Sequence, residues 1–353
     1  MKEAGNKRPT IAEVARMAHV APSTVSHVLN GTAPISPATA RRVNEVIEKL
    51  NFTPNPLARS LRQRKSCLIG VVLQDITSEF YASCVASLMK AARLDNYNAL
   101  ICDAQWDSEL VRESVKNLID NRIDGLIFIG GSNDEEIIKT ALDAGVRVII
   151  GDRRVEGLPQ VEFRNADTMR RLTCALCESG YRRFLYAGEP LSVQTNLGDR
   201  YRGFLEGLAA SGVPHDPDID FFDHRMLGFK LSESYQRFRD CYLRFPESER
   251  PRIIVTSNDM IAGGFISAAE KSGLRVPEDL AVVGFDDVIF SSCYSPTLTT
   301  VHQDSARLGR ECYDLFRRAE EGEDVSEEHI WLPQEIVARE SAPIPPEILK
   351  KYN

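Results

Sequence analysis

The sequence predicts a small all-α head joined to a larger α/β body. Three observations predict it. Residues 10–30, TIAEVARMAHVAPSTVSHVLN, carry two short helical stripes separated by a break. From Cys67 onward, apolar β runs alternate with helical patterns. Charge divides at the same place: residues 1–65 hold 11 Lys+Arg and 4 Asp+Glu, a balance of +7, and the remainder hold 32 and 47, a balance of −15. A basic head on an acidic body suits a module that attracts phosphates, carried by a body that does not.

In the head, Thr10 and Glu13 have the T-x-x-E spacing of a capping box, which starts a helix at Ile11. Ile11, Val14 and Ala15 give it one apolar face. Ala18-His19-Val20 interrupts the pattern. Pro22 then fits the first turn of a second helix, where its missing N–H costs nothing, and Val25, Val28 and Leu29 supply the stripe. Two short helices joined by a tight turn make a helix-turn-helix, whose second helix enters the DNA major groove. Ser36 as N-cap and Pro37 at the first position start a third helix with Val43, Val46, Ile47 and Leu50 on one face. Pro54 to Arg62 reads as a linker by its prolines, although LARSLR contains good helix formers.

In the body, strands are predicted at 67–75, 98–104, 125–131, 146–152, 182–188, 251–259 and 280–287, with helical stretches between them. This repetition means parallel sheets with right-handed crossovers, and the continuous apolar runs fit sheets covered on both faces. Ligands of such sheets bind at the carboxyl ends of strands. The polar residues there are Gln74-Asp75, Asp103, Asp152-Arg153-Arg154, Ser257-Asn258-Asp259 and Asp286-Asp287.

Several classes are disfavoured. The first twenty residues carry charges throughout and lack a signal peptide's apolar core, and no run of about 18 apolar residues suggests a membrane span. Eight cysteines lie scattered through apolar segments and are expected as reduced thiols; Cys174-x-x-Cys177 sits in a helical pattern without a second pair. Neither a phosphate-binding glycine fingerprint, a zinc motif nor a G-x-S-x-G elbow occurs. No enzyme activity, metal or cofactor is expected.

TIAEVARMAHVAPSTVSHVLNG, NFTPNPLARSLR, RYRGFLEGL, SNDMIA and LRVPEDLAVVGFDD together resemble the lactose-repressor/galactose-repressor (LacI/GalR) family of bacterial transcription regulators along the whole chain. The resemblance implies a helix-turn-helix DNA-binding domain at 1–53, a hinge helix at 54–65, and an effector-binding and dimerisation domain at 66–342. A short tail follows at 343–353. The body is implied to be two flavodoxin-like lobes of the periplasmic-binding-protein type that exchange strands.

The resemblance assigns base reading to Pro22, Ser23 and His27, with Thr24 and Ser26 as phosphate contacts or packing residues, and adds Thr10 and Asn30 to the DNA-facing set. In the hinge, Leu61 aligns with a leucine wedged into the minor groove, Ala58 lets paired hinge helices approach, and Arg59 and Arg62 face phosphate. Two departures stand out. Ala21 replaces a serine and cannot cap the second helix, and His19 replaces a turn glycine, where a positive φ carries strain.

For the effector, Phe80 and Tyr81 match an aromatic pair near the cleft, Arg200 an effector-binding arginine, Asp286 an effector-binding aspartate, and Phe229 a stacking ring. Gln74, Asp75, Asp152, Arg153, Asn258 and Asp259 join them as strand-end candidates. Arg164-Asn165 stands where the family has Asp-Asn. Two readings stay open. Arg164 with Arg153, Arg154 and Arg200 forms a guanidinium-lined cleft for a sugar acid or sugar phosphate; or Arg164 pairs with Asp152 or Glu162 and the ligand is neutral. The expected protein is a cytoplasmic homodimeric repressor that binds a palindromic double-stranded operator under control of a small carbohydrate-type effector, without membrane association. APIPPEILKKYN lacks the heptads of a tetramerising bundle. The opposing reading is a periplasmic-type sugar-binding protein without DNA function.

Overall fold

The computed structural model describes residues 9–30, 33–52, 65–105, 107–131, 135–189, 191, 195–216, 220–223, 235, 237–238 and 240–353. They fall into two compact units, one within residues 1–67 and the other from Leu68 onward.

The first unit holds α1 (Ile11–Met17), α2 (Pro22–Asn30) and α3 (Pro37–Lys49). Local chemistry sets the starts of α1 and α3. Thr10 Oγ1 accepts the Glu13 N–H at 3.3 Å, and the Glu13 carboxylate accepts the Thr10 N–H at 2.8 Å. Ser36 Oγ accepts the Thr39 N–H at 3.3 Å ahead of Pro37. The three helices bury Val14, Ala15, Ala18, Val25, Val43 and Phe52 as one core. His19 turns the chain at φ 52°. The Arg42 guanidinium donates to Ala18 O at 2.8 Å and ties α3 to that turn.

The second unit has two lobes. In lobe 1 a six-stranded parallel sheet runs β11-β5-β4-β3-β1-β2. The strands are β1 (Leu68–Leu73), β2 (Asn98–Asp103), β3 (Gly125–Ile129), β4 (Arg147–Gly151), β5 (Gln160–Phe163) and β11 (His329–Leu332). The central strand β1 pairs on both sides, Val71 opposite Ile101 and Ile127. Covering helices are α4 (Glu79–Leu94), α5 (Ser108–Asp120), α6 (Glu135–Asp143) and α10 (Ser305–Glu320). Gly309 of α10 lies so close to α4 that an added Cβ would sit 2.0 Å from Cys84 O.

Lobe 2 contains a parallel sheet of order β7-β6-β8-β9 and an antiparallel pair, β10 (Thr300–Gln303) with β12 (Gln334–Val337). Its strands are β6 (Phe184–Gly188), β7 (Phe221–Asp223), β8 (Ile253–Thr256) and β9 (Ala281–Val283). Its helices are α7 (Asn165–Glu178), α8 (Asn196–Ala210), α9 (Asp259–Lys271) and α11 (Pro346–Tyr352). Buried apolar side chains cover both faces of the sheet, one cluster around Tyr186, Phe204 and Phe285 and the other around Phe238, Tyr242 and Phe265.

The chain crosses between lobes three times: from β5 into α7, from β10 into α10, and from β11 into β12. The outermost strand of lobe 1 therefore comes from near the C-terminus. At the crossings, Gln334 Nε2 donates to Gln303 Oε1 at 2.7 Å and to Asn165 Oδ1 at 3.4 Å.

All seven strands expected from apolar runs are present. β5, β7, β10, β11 and β12 were not expected; they are three or four residues long, and most carry polar residues such as Gln160, Glu162, His302 and Gln334. The stretch expected as a tail is packed down. Ile344, Ile348, Leu349 and Tyr352 join the lobe 2 core, Lys351 Nζ reaches Glu178 at 2.7 Å, and Asn353 exchanges hydrogen bonds with the Ile336 backbone. Cys174 and Cys177 are buried within α7. Among the described residues, no helix is long and apolar enough to cross a membrane.

Candidate functional site

The strand ends of the two lobes converge on a cavity of about 50 Å³ that opens to solvent. Lobe 1 supplies Asp75 after β1, Asp152 after β4, and Phe80 and Tyr81 from the first turn of α4. Lobe 2 supplies Asn196 and Arg200 from α8, Asn258 after β8 and Asp286 after β9.

Arg200 is held through Nε and Nη1. Its Nε donates to Asn165 Oδ1 at 3.0 Å, and Nη1 donates to Ser257 O and to Asp286 Oδ1, the latter at 3.2 Å. The guanidinium carbon stands 3.9 Å from the Phe285 ring centroid. Asp286 Oδ1 also accepts Gln303 Nε2 at 2.7 Å, which joins the cavity wall to the crossing strands. Asn258 caps α9, its side chain accepting the Ile261 N–H at 2.9 Å.

Asp152 is 1% exposed. One carboxylate oxygen accepts Asn196 Nδ2 at 2.5 Å, and the other is buried without a partner. Burial pushes its pKa up to about 8; Arg200 opposes the shift and Asp286 adds to it. Burial likewise raises Asp286 to about 6, against the pull of Arg200. Both aspartates sit at positive φ, 52° and 115°. Such conformations cost free energy and persist where surrounding contacts over-determine them, as they do around binding sites.

The other sequence candidates lie elsewhere. Gln74 and Arg153 face a second cavity inside lobe 1, beside Phe128 and Ser108. Residues leaving a strand alternate in direction, so Asp152 and Arg153 point into different spaces. Asp259 is fully buried under the lobe 2 sheet. It accepts from Val288 N, Ser291 Oγ and Thr300 Oγ1 at 2.6–3.0 Å and ties β10 to the turn after β9. Arg164 is exposed and lies over the Trp331 ring at 5.0 Å, and neither Asp152 nor Glu162 is its partner. The expected ring of four arginines does not form: Arg200 lines the cavity, while Arg153, Arg154 and Arg164 do not. Phe229 lies outside the described residues. Asn196, Leu197 and Met260 line the cavity without having been singled out. Asn196 opens α8, well past the end of β6 at Gly188, so the strand-end rule does not reach it.

In the head, Pro22 and Ser23 are exposed at the start of α2, and Thr24, Ser26 and His27 are half-buried along it. Thr10 is exposed and occupied in the capping box. The Asn30 side chain and the hinge candidates Ala58, Arg59, Leu61 and Arg62 lie outside the described residues.

A helix-turn-helix head and a two-lobed body with a polar cleft are the parts of a DNA-binding regulator. The comparisons agree. Residues 10–55 match the bacterial regulatory proteins of the lacI family, and residues 173–342 match the periplasmic binding protein-like domain. Catabolite control protein A of Staphylococcus xylosus is 30% identical, over 94% of this chain and 98% of that protein. The HTH-type transcriptional repressor PurR of Aliivibrio fischeri (strain MJ11) is 29% identical over the same shares. The lac repressor dimer bound to operator and the anti-inducer ONPF superimposes with a TM-score of 0.83 at 27% identity, covering 96% of this chain and 100% of that one. The complex of the transcriptional regulator CelR with cellobiose gives 0.69 at 26% identity, over 95% and 100%. The chain belongs to the LacI family of DNA-binding transcription regulators. These relatives are regulators, not enzymes.

Proposed function

We propose that the protein is a cytoplasmic homodimeric repressor that binds a near-palindromic operator and is controlled by a carbohydrate-type effector in the cleft between the lobes. The observation that carries this reading is the convergence of Asp152, Asn196, Arg200, Asn258 and Asp286 from both lobes on one cavity. A ligand touching both lobes stabilises one lobe arrangement over others, and linkage makes operator and effector affinities depend on each other. Hydroxyl groups suit these carboxylates and amides, as does the cellobiose that the CelR complex contains. The lac repressor relative is a dimer on operator DNA. Exposed Leu94, Ile289 and Phe290, at 83%, 65% and 57%, supply apolar surface that a second copy can cover.

In this reading Pro22, Ser23 and His27 meet base edges, with Thr10, Thr24, Ser26 and Asn30 beside them. The hinge places Ala58, Arg59, Leu61 and Arg62 at the operator centre. The test is selection of DNA sequences by the full-length protein, followed by anisotropy titration. A two-fold symmetric consensus is expected, with a dimer as the binding species. Leu61→Ala should weaken operator binding and spare ligand binding. Absence of any sequence preference refutes the reading and restores that of a sugar-binding protein without DNA function.

A further inference from the structure

The cavity assigned above to the effector, on which this inference rests, is acidic. Asp75, Asp152 and Asp286 line it, and Arg200 is the single cation among its described lining residues. That guanidinium is already engaged by Asn165, the Ser257 carbonyl, Asp286 and the Phe285 ring. An adjoining groove on the far side of Asp286 adds Glu79, Asp287 and Asp304 and contributes no lysine or arginine. Of these, Asp287 is taken up by Arg339 and His302.

Within this field Asp152 has an oxygen that no group serves. It is buried without a hydrogen-bond partner, on a residue that lines the cavity. An anion entering here meets three aspartates, and the Arg200 guanidinium on the wall is already paired with Asp286. A hydroxyl supplies a donor but no charge, so Asp152, whose burial favours the protonated form, keeps its proton beside it. An ammonium supplies donor and charge together, and a charge-assisted bond to a buried carboxylate is the stronger contact. Phe80 and Tyr81 add aromatic rings to the same wall.

We propose that the effector is an amine-bearing carbohydrate whose ammonium group seats against Asp152, with its hydroxyls shared among Asn196, Asn258 and Asp286.

The test is calorimetric titration of the full-length protein with matched probes: D-glucosamine, D-glucose, N-acetyl-D-glucosamine and D-glucuronate, with the galactose series in parallel. The amine is expected to bind about tenfold or more tighter than its neutral parent. Asp152→Asn should erase that preference, with cooperative unfolding of the variant as the control for folding. Equal affinity for hexose and hexosamine overturns the proposal and leaves the cleft reading standing. Preference for the uronate also overturns it and brings back the arginine-lined site. Silence from the amines alongside a hit from any neutral sugar sinks the amine alone. Silence from every sugar counts against both the amine and the carbohydrate cleft.

Discussion

Replacing Asp152 by Asn should make the effector-free body more stable at neutral and alkaline pH. The Asp152 carboxyl is raised from its ordinary value of 3.8 to about 8, chiefly by burial. Between those values the native protein keeps a proton that the unfolded chain has lost. Stability then falls with rising pH by about 1.4 kcal/mol per pH unit for this group. Well below the ordinary value of 3.8 both states are protonated and the contribution vanishes; above pH 8 the full cost remains, about 6 kcal/mol at most. Asparagine is neutral in both states, and its amide oxygen can accept the Asn196 donor that now serves the carboxylate. Asp286, Asp259 and Glu162 are raised in the same direction, to about 6, 7 and 7, so the variant keeps part of the pH dependence. The difference between wild type and variant should grow by about 3 kcal/mol from pH 5 to pH 7.5. Urea unfolding followed by tryptophan fluorescence measures it, because residues 106 and 331, the two tryptophans, both fall in the body. Parallel stability curves for the two proteins would refute the assignment of a buried, proton-holding carboxyl to the cavity wall.

Two further outcomes follow from local packing. Gly309→Ala drives a methyl against the Cys84 carbonyl at 2.0 Å and should cost about 2 kcal/mol or more, seen as a lowered thermal midpoint of the body; an unchanged midpoint means that α4 and α10 are not so closely seated. Thr10→Ala removes the capping box of α1 at a cost of about 1 kcal/mol. Amide exchange in the head should accelerate about fivefold, whereas unaltered exchange would show that the cap contributes nothing.

Much of this fold was legible because its signals are local. Thr10, Ser36 and Pro37 mark helix starts through bonds that span three or four residues. The strands that form continuous apolar runs announce burial on both faces. β5, β10 and β12 carry Gln160, Gln303 and Gln334 and become strands through partners distant in the chain, which no local pattern encodes. At the site, the strand-end rule led to Asp75, Asp152, Asn258 and Asp286, all on the cavity wall. It also swept in Gln74, Arg153 and Asp259, because adjacent residues leave a strand in different directions. The gathering of arginines failed for the same kind of reason. Arg164 follows a lobe 1 strand at a crossing, yet its side chain settles on Trp331, delivered by β11 more than 160 residues later.

That late delivery bears on how the protein is made. The head closes its core with Phe52, long before the body's final residues are synthesised. The first lobe opens with β1 but waits for α10 and β11, ending at Leu332 of 353 residues. Domains tend to fold as they emerge from the ribosome, so the head gains its shape while the body is still missing an edge strand and a covering helix. A chain cut short before residue 305 carries a finished head on a body in which neither lobe can complete itself. Truncation therefore does not yield half a sensor; it separates the reading of DNA from any means of controlling it.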